Sequence, residues 1–277
     1  YFISGQISNA GTFSGVSSPD SNAGLFTRAN FKRYTEQQLQ WHNDWKISSV
    51  NSLQFGFEAR HLHAPEVIAE NNFDLADIAN GIFPIRYYGE LLATTPIQKK
   101  SQREILGLYS QYQHQVLSNS HLTLGLRYDN FSNIGERVSP RFGFVHPVSS
   151  QQSIKFLYGE AFRGPAENEL NLLNNPVIIG DTNLKPETVK SWEMIYLAQY
   201  NHTSFTGAYF ENHFKDAIQR VLVSGDVFQF SNIDQDPVKG LEFEYSWEIT
   251  DHWLFRGSYT HFLEKPQSSF RESDSLA

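Results

Sequence analysis

From Leu241 to Ile249 the chain reads Leu-Glu-Phe-Glu-Tyr-Ser-Trp-Glu-Ile, apolar at every odd position and polar at every even one. A period of two places all the apolar side chains on one face of an extended strand. The same alternation runs through residues 122–129, where Leu122, Leu124, Leu126 and Tyr128 face Thr123, Gly125, Arg127 and Asp129. Trp192, Met194, Tyr196 and Ala198 form another apolar row, and Leu39, Trp41, Trp45 and Ile47 a partial one interrupted by Asn43. Helical periodicity is scarce, and the one place that suggests it is residues 66–80, where a short helix inside a loop is expected.

The connections between the strands sort by length. Short polar breaks fall near residues 48–51, 117–120, 148–152, 200–203 and 250–252. Long irregular segments fall at 63–101, 130–137, 163–188 and 211 to about 240. Short and long alternate, which predicts an all-β, antiparallel transmembrane β-barrel with tight turns on one side and long loops on the other. A sandwich or propeller has no reason to divide its connections in this way. Counting between breaks gives roughly eleven strands, many longer than the ~9–11 residues that cross a hydrocarbon layer. Residues 203–223 and 226–249 predict one tall hairpin turning at Ser224-Gly225-Asp226. Trp41, Trp45, Trp192, Trp247 and Trp253 are expected beside the short turns, as an aromatic girdle on that side; a soluble core is their alternative use.

Composition agrees with strands. Of 277 residues 40% are hydrophobic and 14% aromatic, with 22 Phe and 13 Tyr against one Met, a mixture enriched in β-formers. No apolar run approaches the ~18 residues of a spanning helix. A net charge of −8 and the lack of any basic block argue against a nucleic-acid partner. Cysteine is absent, which excludes disulfides and thiolate metal sites and suits passage through an oxidising compartment.

Chemistry-bearing patterns are few. No nucleophile elbow, phosphate-cradling glycine loop or HExxH motif is present, so no catalytic residue, metal ligand or cofactor is assigned. Glu242, Glu244 and Glu248 share one strand face, with Glu187 and Glu193 nearby in the pattern, and are read as lining a wet lumen. His61 and His63 lie at i, i+2 before the longest loop, a pair able to meet iron, haem or another metal complex. In the same loop Arg86-Tyr87-Tyr88 offers guanidinium and aromatic groups suited to a catecholate or hydroxamate complex. A self-packed loop and a solvated rim pair are the plain readings of these five residues.

Residues 158–193 carry a more specific pattern. Ala161-Phe162-Arg163-Gly164-Pro165, then Glu169-Leu170, then Asn183-Leu184-Lys185-Pro186-Glu187 resemble the paired "FRAP…EL" and "NPxLKPE" signature in the C-terminal half of TonB-dependent outer-membrane receptors. Leu126-Arg127-Tyr128-Asp129 with Ser139-Pro140-Arg141, the run Asn212–Ile218 and Lys239-Gly240-Leu241-Glu242 resemble further elements of that family. Leu241 is a mild variant of its pattern, the 12-residue spacer Asn171–Thr182 falls where the family varies, and residues 1–100 match only in general style. Pro165 and Pro186, which cannot donate to a ladder, mark where strands leave and re-enter the sheet. Arg163 with Glu169, and Lys185 and Glu187 beside Pro186, read as loop anchors.

The resemblance implies a barrel of about 22 strands around a plug, of which residues 1–277 would be a partial barrel domain. The chain starts at Tyr1 within a strand-like run, shows no signal peptide, and ends in Phe-Arg-Glu-Ser-Asp-Ser-Leu-Ala without a terminal aromatic strand. It is therefore read as an internal fragment, with the plug, N-terminal strands and last strands outside it. The implied partners are the lipid of a Gram-negative outer membrane, TonB–ExbB–ExbD through the plug, and a scarce nutrient such as a ferric siderophore, haem or cobalamin. Ligand contacts are expected in the loops around 63–101 and 211–240. Two rivals are an outer-membrane barrel hydrolase and a soluble all-β carbohydrate-binding module.

Overall fold

A computed structural model describes residues 6–7, 27–29, 34–74, 76–77, 80–82, 84–117, 119–175, 177–224 and 227–265. The wall consists of β3 (Thr35–Lys46), β4 (Asn51–Ala64), β7 (Ser101–Gln115), β8 (His121–Phe131), β9 (Gly135–Pro147), β10 (Gln152–Arg163), β12 (Glu187–Gln199), β13 (Thr203–Lys215), β16 (Val238–Thr250) and β17 (Trp253–Glu264). Above it stand β1 (Gln6–Ile7), β2 (Thr27–Ala29), β5 (Val67–Phe73), β6 (Tyr87–Gln98), α1 (Glu167–Asn171), β11 (Ile178–Ile179), β14 (Ala217–Ser224) and β15 (Val227–Ile233). The ten wall strands form a single sheet in the order β17-β16-β13-β12-β10-β9-β8-β7-β4-β3. Every pair in it is antiparallel.

One pairing row explains the sheet. Trp45, Leu53, Tyr112, Leu124, Phe142, Tyr158 and Trp192 stand opposite one another on consecutive strands, and all are apolar or aromatic. The neighbouring row, Gln54, Gln111, Gly125, Arg141, Gly159 and Ser191, is polar or side-chain-free. The first belongs to the outer face and the second to the lumen. Outward side chains stay exposed within the protein, Trp253 at 71% and Tyr259 at 61%, because lipid is the solvent that covers them.

That row begins beside the last residue of β3 but reaches β12 seven residues before Gln199, about 23 Å along the strand at ~3.3 Å per residue. The stagger follows from tilted strands in a closing barrel. It also corrects the expectation for Trp192. Trp45, Trp247 and Trp253 lie by short turns, whereas Trp192, 4.2 Å from the Tyr158 ring, lies at the opposite edge of the apolar band, where a second girdle belongs.

Three other expectations change. Residues 67–73 form a strand, because Val67, Ala69, Asn71 and Phe73 take buried positions and the segment pairs with β6; among the described residues of 66–80, Ala76 and Asp77 are helical. The connection at 130–137 shrinks to Ser132–Ile134, closed by Gly135 at φ 84°, a left-handed angle that glycine adopts without strain. The tall hairpin is present in two stacked parts, β13 with β16 and β14 with β15. Asp216 at φ 54° separates them on one side. At the expected turn, Gly225 and Asp226 lie outside the described residues.

If the apolar face meets hydrocarbon, Phe156→Arg, near mid-strand on the outer face, should destabilise the folded receptor by about 2–4 kcal/mol. Leu157→Arg, one residue on and facing the lumen, should cost far less. Urea titration in lipid vesicles, read by tryptophan fluorescence, compares the two.

Candidate functional site

Where β10 ends, its last side chain becomes the centre of an ion-pair hub above the membrane band. Arg163 Nη1 and Nη2 lie 2.9 and 3.2 Å from the two carboxylate oxygens of Glu169, and Nε lies 2.6 Å from Glu187 Oε1. The fork geometry of a guanidinium suits this double capture. Glu169 Oε2 also accepts the Ala166 N–H at 2.7 Å, and Glu187 Oε2 the Ile218 N–H at 3.0 Å. The hydrogen bonds that Arg163 donates to Glu187 and then Glu169 raise its pKa further above its usual value. Burial opposes the charge on Glu187, but the Arg163 contact and the Ile218 N–H together hold its carboxyl below the ordinary value.

A small apolar core sits against this hub. Leu170, Leu184 and Phe230 are buried together, with Ile178 and Ile218 packed on them. The two leucines come from the two halves of the signature and Phe230 from β15. Gly180 passes so close that an added Cβ would meet the backbone of Glu169 and Leu170 at 2.8–2.9 Å. Pro165 and Pro186 are fully buried, at the two points where chain leaves and re-enters the wall. Lys185 makes no ion pair among the described residues; its backbone is what is used. Asn232 Oδ1 accepts the Lys185 N–H at 2.7 Å, while its Nδ2 donates to the carbonyls of Lys185 at 2.9 Å and Asp216 at 2.6 Å. Asn183 donates its backbone N–H to Asp181 Oδ1 at 2.8 Å and tightens the turn before it.

Two anchors escaped the sequence reading. Arg103, at the top of β7, is nine-tenths buried and donates from Nη2 to the Pro165 carbonyl at 2.9 Å and to Glu167 at 3.0 Å. Asn232 is the other. Neither stands in a recognisable motif, and both act across more than 40 residues of sequence, so only the fold reveals them. Beneath the hub, a lumen-side cavity of about 710 Å³ is lined by Arg60, Arg103, Tyr109, Arg127, Arg141 and Arg163 among others.

The five residues expected to meet a ligand do not converge. His61 shares the outer-face register of Phe55 and Phe57, with Nδ1 3.6 Å from Glu104 Oε1; His63 Nδ1 lies 3.5 Å from Gln102 Nε2. Arg86, Tyr87 and Tyr88 sit at the far end of the β5–β6 hairpin, where Tyr87 pairs with Phe73. The length of β5, about 20 Å, separates the two groups. Arg86 pairs with Asp74 at 3.1 Å and with Asp77 at 3.6 Å. Burial, followed by a hydrogen bond to Asp74, raises the Tyr88 pKa. Among the described residues no group of three metal-ligating side chains forms.

Two outcomes are expected of the hub. A depressed carboxylate contributes stability that is complete above its unfolded value of about 4.3 and is lost as pH falls through the lower folded value. A spin label at Asn174→Cys should therefore become mobile on acidification below about pH 4, and with Glu187→Gln added it should be mobile at neutral pH as well. Asn232→Ala, which orphans three backbone groups, should loosen residues 181–187 by about 1–3 kcal/mol. Hydrogen exchange of that segment measures this.

Residues 2–275 match the family model described as TonB dependent receptor-like, beta-barrel. The ferric enterobactin receptor of Pseudomonas aeruginosa is 23% identical over 193 residues, covering 59% of this chain and 26% of the relative. The ferrienterobactin receptor of Escherichia coli K12 is 20% identical over 194 residues, covering 62% and 26%. The chain thus spans about a quarter of the length of these curated relatives. Among solved structures, a mutant of the ferric enterobactin receptor of Pseudomonas aeruginosa superposes with a TM-score of 0.62 at 17% identity, over 87% of this chain and 40% of that one. The staggered antiparallel wall, the signature hub and the match along almost the whole length agree: the chain belongs to the TonB-dependent receptor β-barrel family.

Proposed function

We propose that this chain is part of the wall and extracellular rim of an outer-membrane receptor that imports a ferric siderophore in a Gram-negative bacterium. The observation that carries this reading is the division of the sheet. Tight turns lie along one edge, two loops fused by the Arg163 hub lie along the other, and apolar and polar faces alternate between them. Such a sheet needs lipid outside and water inside, with ligand capture at the looped end. The names of two curated relatives, receptors for ferric enterobactin, favour an iron chelate over haem or cobalamin.

The rest of the protein, including a lumen-filling plug through which TonB–ExbB–ExbD would act, belongs to the longer polypeptide under this reading. The wall contributes no chemistry; it holds the rim in place. Of the expected contacts, Arg86, Tyr87 and Tyr88 at the hairpin tip suit first capture of an aromatic chelate, by ring contact and by the guanidinium of Arg86, which stays exposed beside its pairs with Asp74 and Asp77. His61 and His63 stand at the hairpin base, where they would support the rim.

Uptake of radioactive iron from ferric enterobactin, in cells whose own catecholate receptors are deleted and which express the full-length receptor, tests the reading. Accumulation that requires TonB is expected, and the triple change Arg86→Ala, Tyr87→Ala, Tyr88→Ala should raise the half-saturating concentration several-fold with little effect on maximal uptake. No accumulation from any of a panel of ferric siderophores would sink it.

A further inference from the structure

Besides its hub, the signature loop makes a second attachment, to the root of the β5–β6 hairpin. Residues 171–174 run antiparallel to the end of β6, with a bridge between Gln98 and Leu172. Leu173 donates its backbone N–H to the Ile97 carbonyl at 3.0 Å, and Lys99 its own to the Asn171 carbonyl at 3.2 Å. Asn174, in the left-handed region at φ 51°, donates from Nδ2 to the Pro96 carbonyl at 2.9 Å. Gln98 is buried and donates from Nε2 to the Tyr34 hydroxyl at 2.6 Å, just before β3.

One carboxylate closes this joint. Glu167, the first residue of α1, accepts from the Ser101 hydroxyl, from Asn171 Nδ2 at 3.0 Å and from Arg103 Nη2 at 3.0 Å. Ser101 begins β7 and Arg103 shares its strand face two residues on, so Glu167 joins the corner between β6 and β7 to α1. The Arg103 and Glu167 side chains are only 9% and 13% exposed, and removal of either strands the other as a nearly buried, unpaired charge. Two residues along the same short helix, Glu169 meets Arg163, whose hub fastens α1 to β10, β12 and the β14–β15 hairpin.

The far end of the β5–β6 hairpin depends on that joint. Arg86, Tyr87 and Tyr88 stand about 20 Å from the root, so rocking by about 10° there would carry them about 3.5 Å. Recognition groups must be held within about 0.5 Å of their productive geometry, several-fold less. We propose that Arg103 and Glu167 are positioning residues, which lock the β5–β6 hairpin onto α1 and so hold its tip at a fixed distance from the β14–β15 hairpin. The proposal rests on the capture role given above to Arg86, Tyr87 and Tyr88. Neither Arg103 nor Glu167 is asked to touch the chelate.

Spin labels at Ile82→Cys near the tip and Val223→Cys on β14, both about half exposed, test this in the full-length receptor in lipid vesicles, with any other cysteine replaced by serine. Pulsed electron–electron resonance reads the distance between them, and one narrow distribution is expected. Glu167→Gln and Arg103→Met should each broaden it at least twofold, and the double change no further, because either single change already breaks the pair. Glu160→Gln, which removes the partner of Lys190 on the outer face of β10, should leave the width unchanged. If tryptophan emission shows that a variant has lost its wall, Ser101→Ala, which removes one donor to the same carboxylate, takes its place and should broaden the distribution in the same sense. Widths that stay narrow in these variants overturn the proposal, as does an equally broad distribution in the unaltered receptor. Uptake of iron from ferric enterobactin separates positioning from mere support: Glu167→Gln should raise the half-saturating concentration at least threefold with maximal uptake unchanged. Broadening without that rise, in a receptor that does take up the chelate, also overturns the positioning role. The distances are read without ligand, so a receptor that accumulates no ferric siderophore would refute its cargo and leave the joint measured.

Discussion

Backbone N–H and C=O groups inside hydrocarbon have no water to turn to, and each unsatisfied one costs several kcal/mol. The ten-stranded ladder is the answer to that constraint, and the other features of the wall follow from it. Because each strand must satisfy its groups with its neighbours, strand order follows chain order apart from the excursions above the membrane, and the turns at one edge stay short. Because a barrel closes only with tilted strands, rows of paired residues climb as they cross the sheet, carrying the apolar band from Trp45 at the turns to Trp192 near the loops. That the described wall strands enclose no apolar core of their own is a consequence too. Outward side chains find their apolar environment in lipid, and inward ones need only water and one another.

The rim obeys different rules. Above the bilayer, loops must be held by interactions of their own, and those around Arg163 are drawn from four separate stretches of chain. Arg163 ends one strand, Glu169 lies on α1, Glu187 begins the next strand, and Ile218 belongs to the projecting hairpin. Asn232 then ties the hairpin to the signature loop through backbone groups, and Leu170, Leu184 and Phe230 exclude water beside the ion pairs. Partly buried pairs of this kind hold geometry better than exposed ones. Two long loops therefore share one foundation, and whatever meets the rim meets both together.

The signature residues earn their recognisability through that foundation. Leu170 and Leu184 are apolar because they face each other in a core; Pro165 and Pro186 sit where no ladder donor is needed. The pairing of Arg163 with Glu169 was legible from charge and spacing. The pairing of Arg103 with the Pro165 carbonyl was not, since nothing in its local sequence distinguishes a nine-tenths-buried arginine from one on a wet wall. The proposed ligand residues show the same limit. His61 and His63 are close in sequence to Arg86, Tyr87 and Tyr88 on the scale of the chain, yet an intervening strand holds them about 20 Å apart.

Alternation of apolar and polar residues, with unequal connections, pointed to the wall from sequence alone: a period of two divides two environments across a strand, and the sorting of short turns from long loops is what a barrel shows. The motif at 158–193 likewise determined the family, since its prolines, leucines and charges answer local demands that recur wherever that loop is built. What tertiary structure decided is everything that depends on stagger and on contacts between distant strands. It put Trp192 at the upper edge, turned residues 67–73 into a strand by giving them a partner in β6, and recruited Arg103 and Asn232 to the hub. It also placed Glu167 where Ser101, Arg103 and Asn171 all reach it. Register is a property of pairs of strands, and a single sequence read along its length holds only one member of each pair at a time.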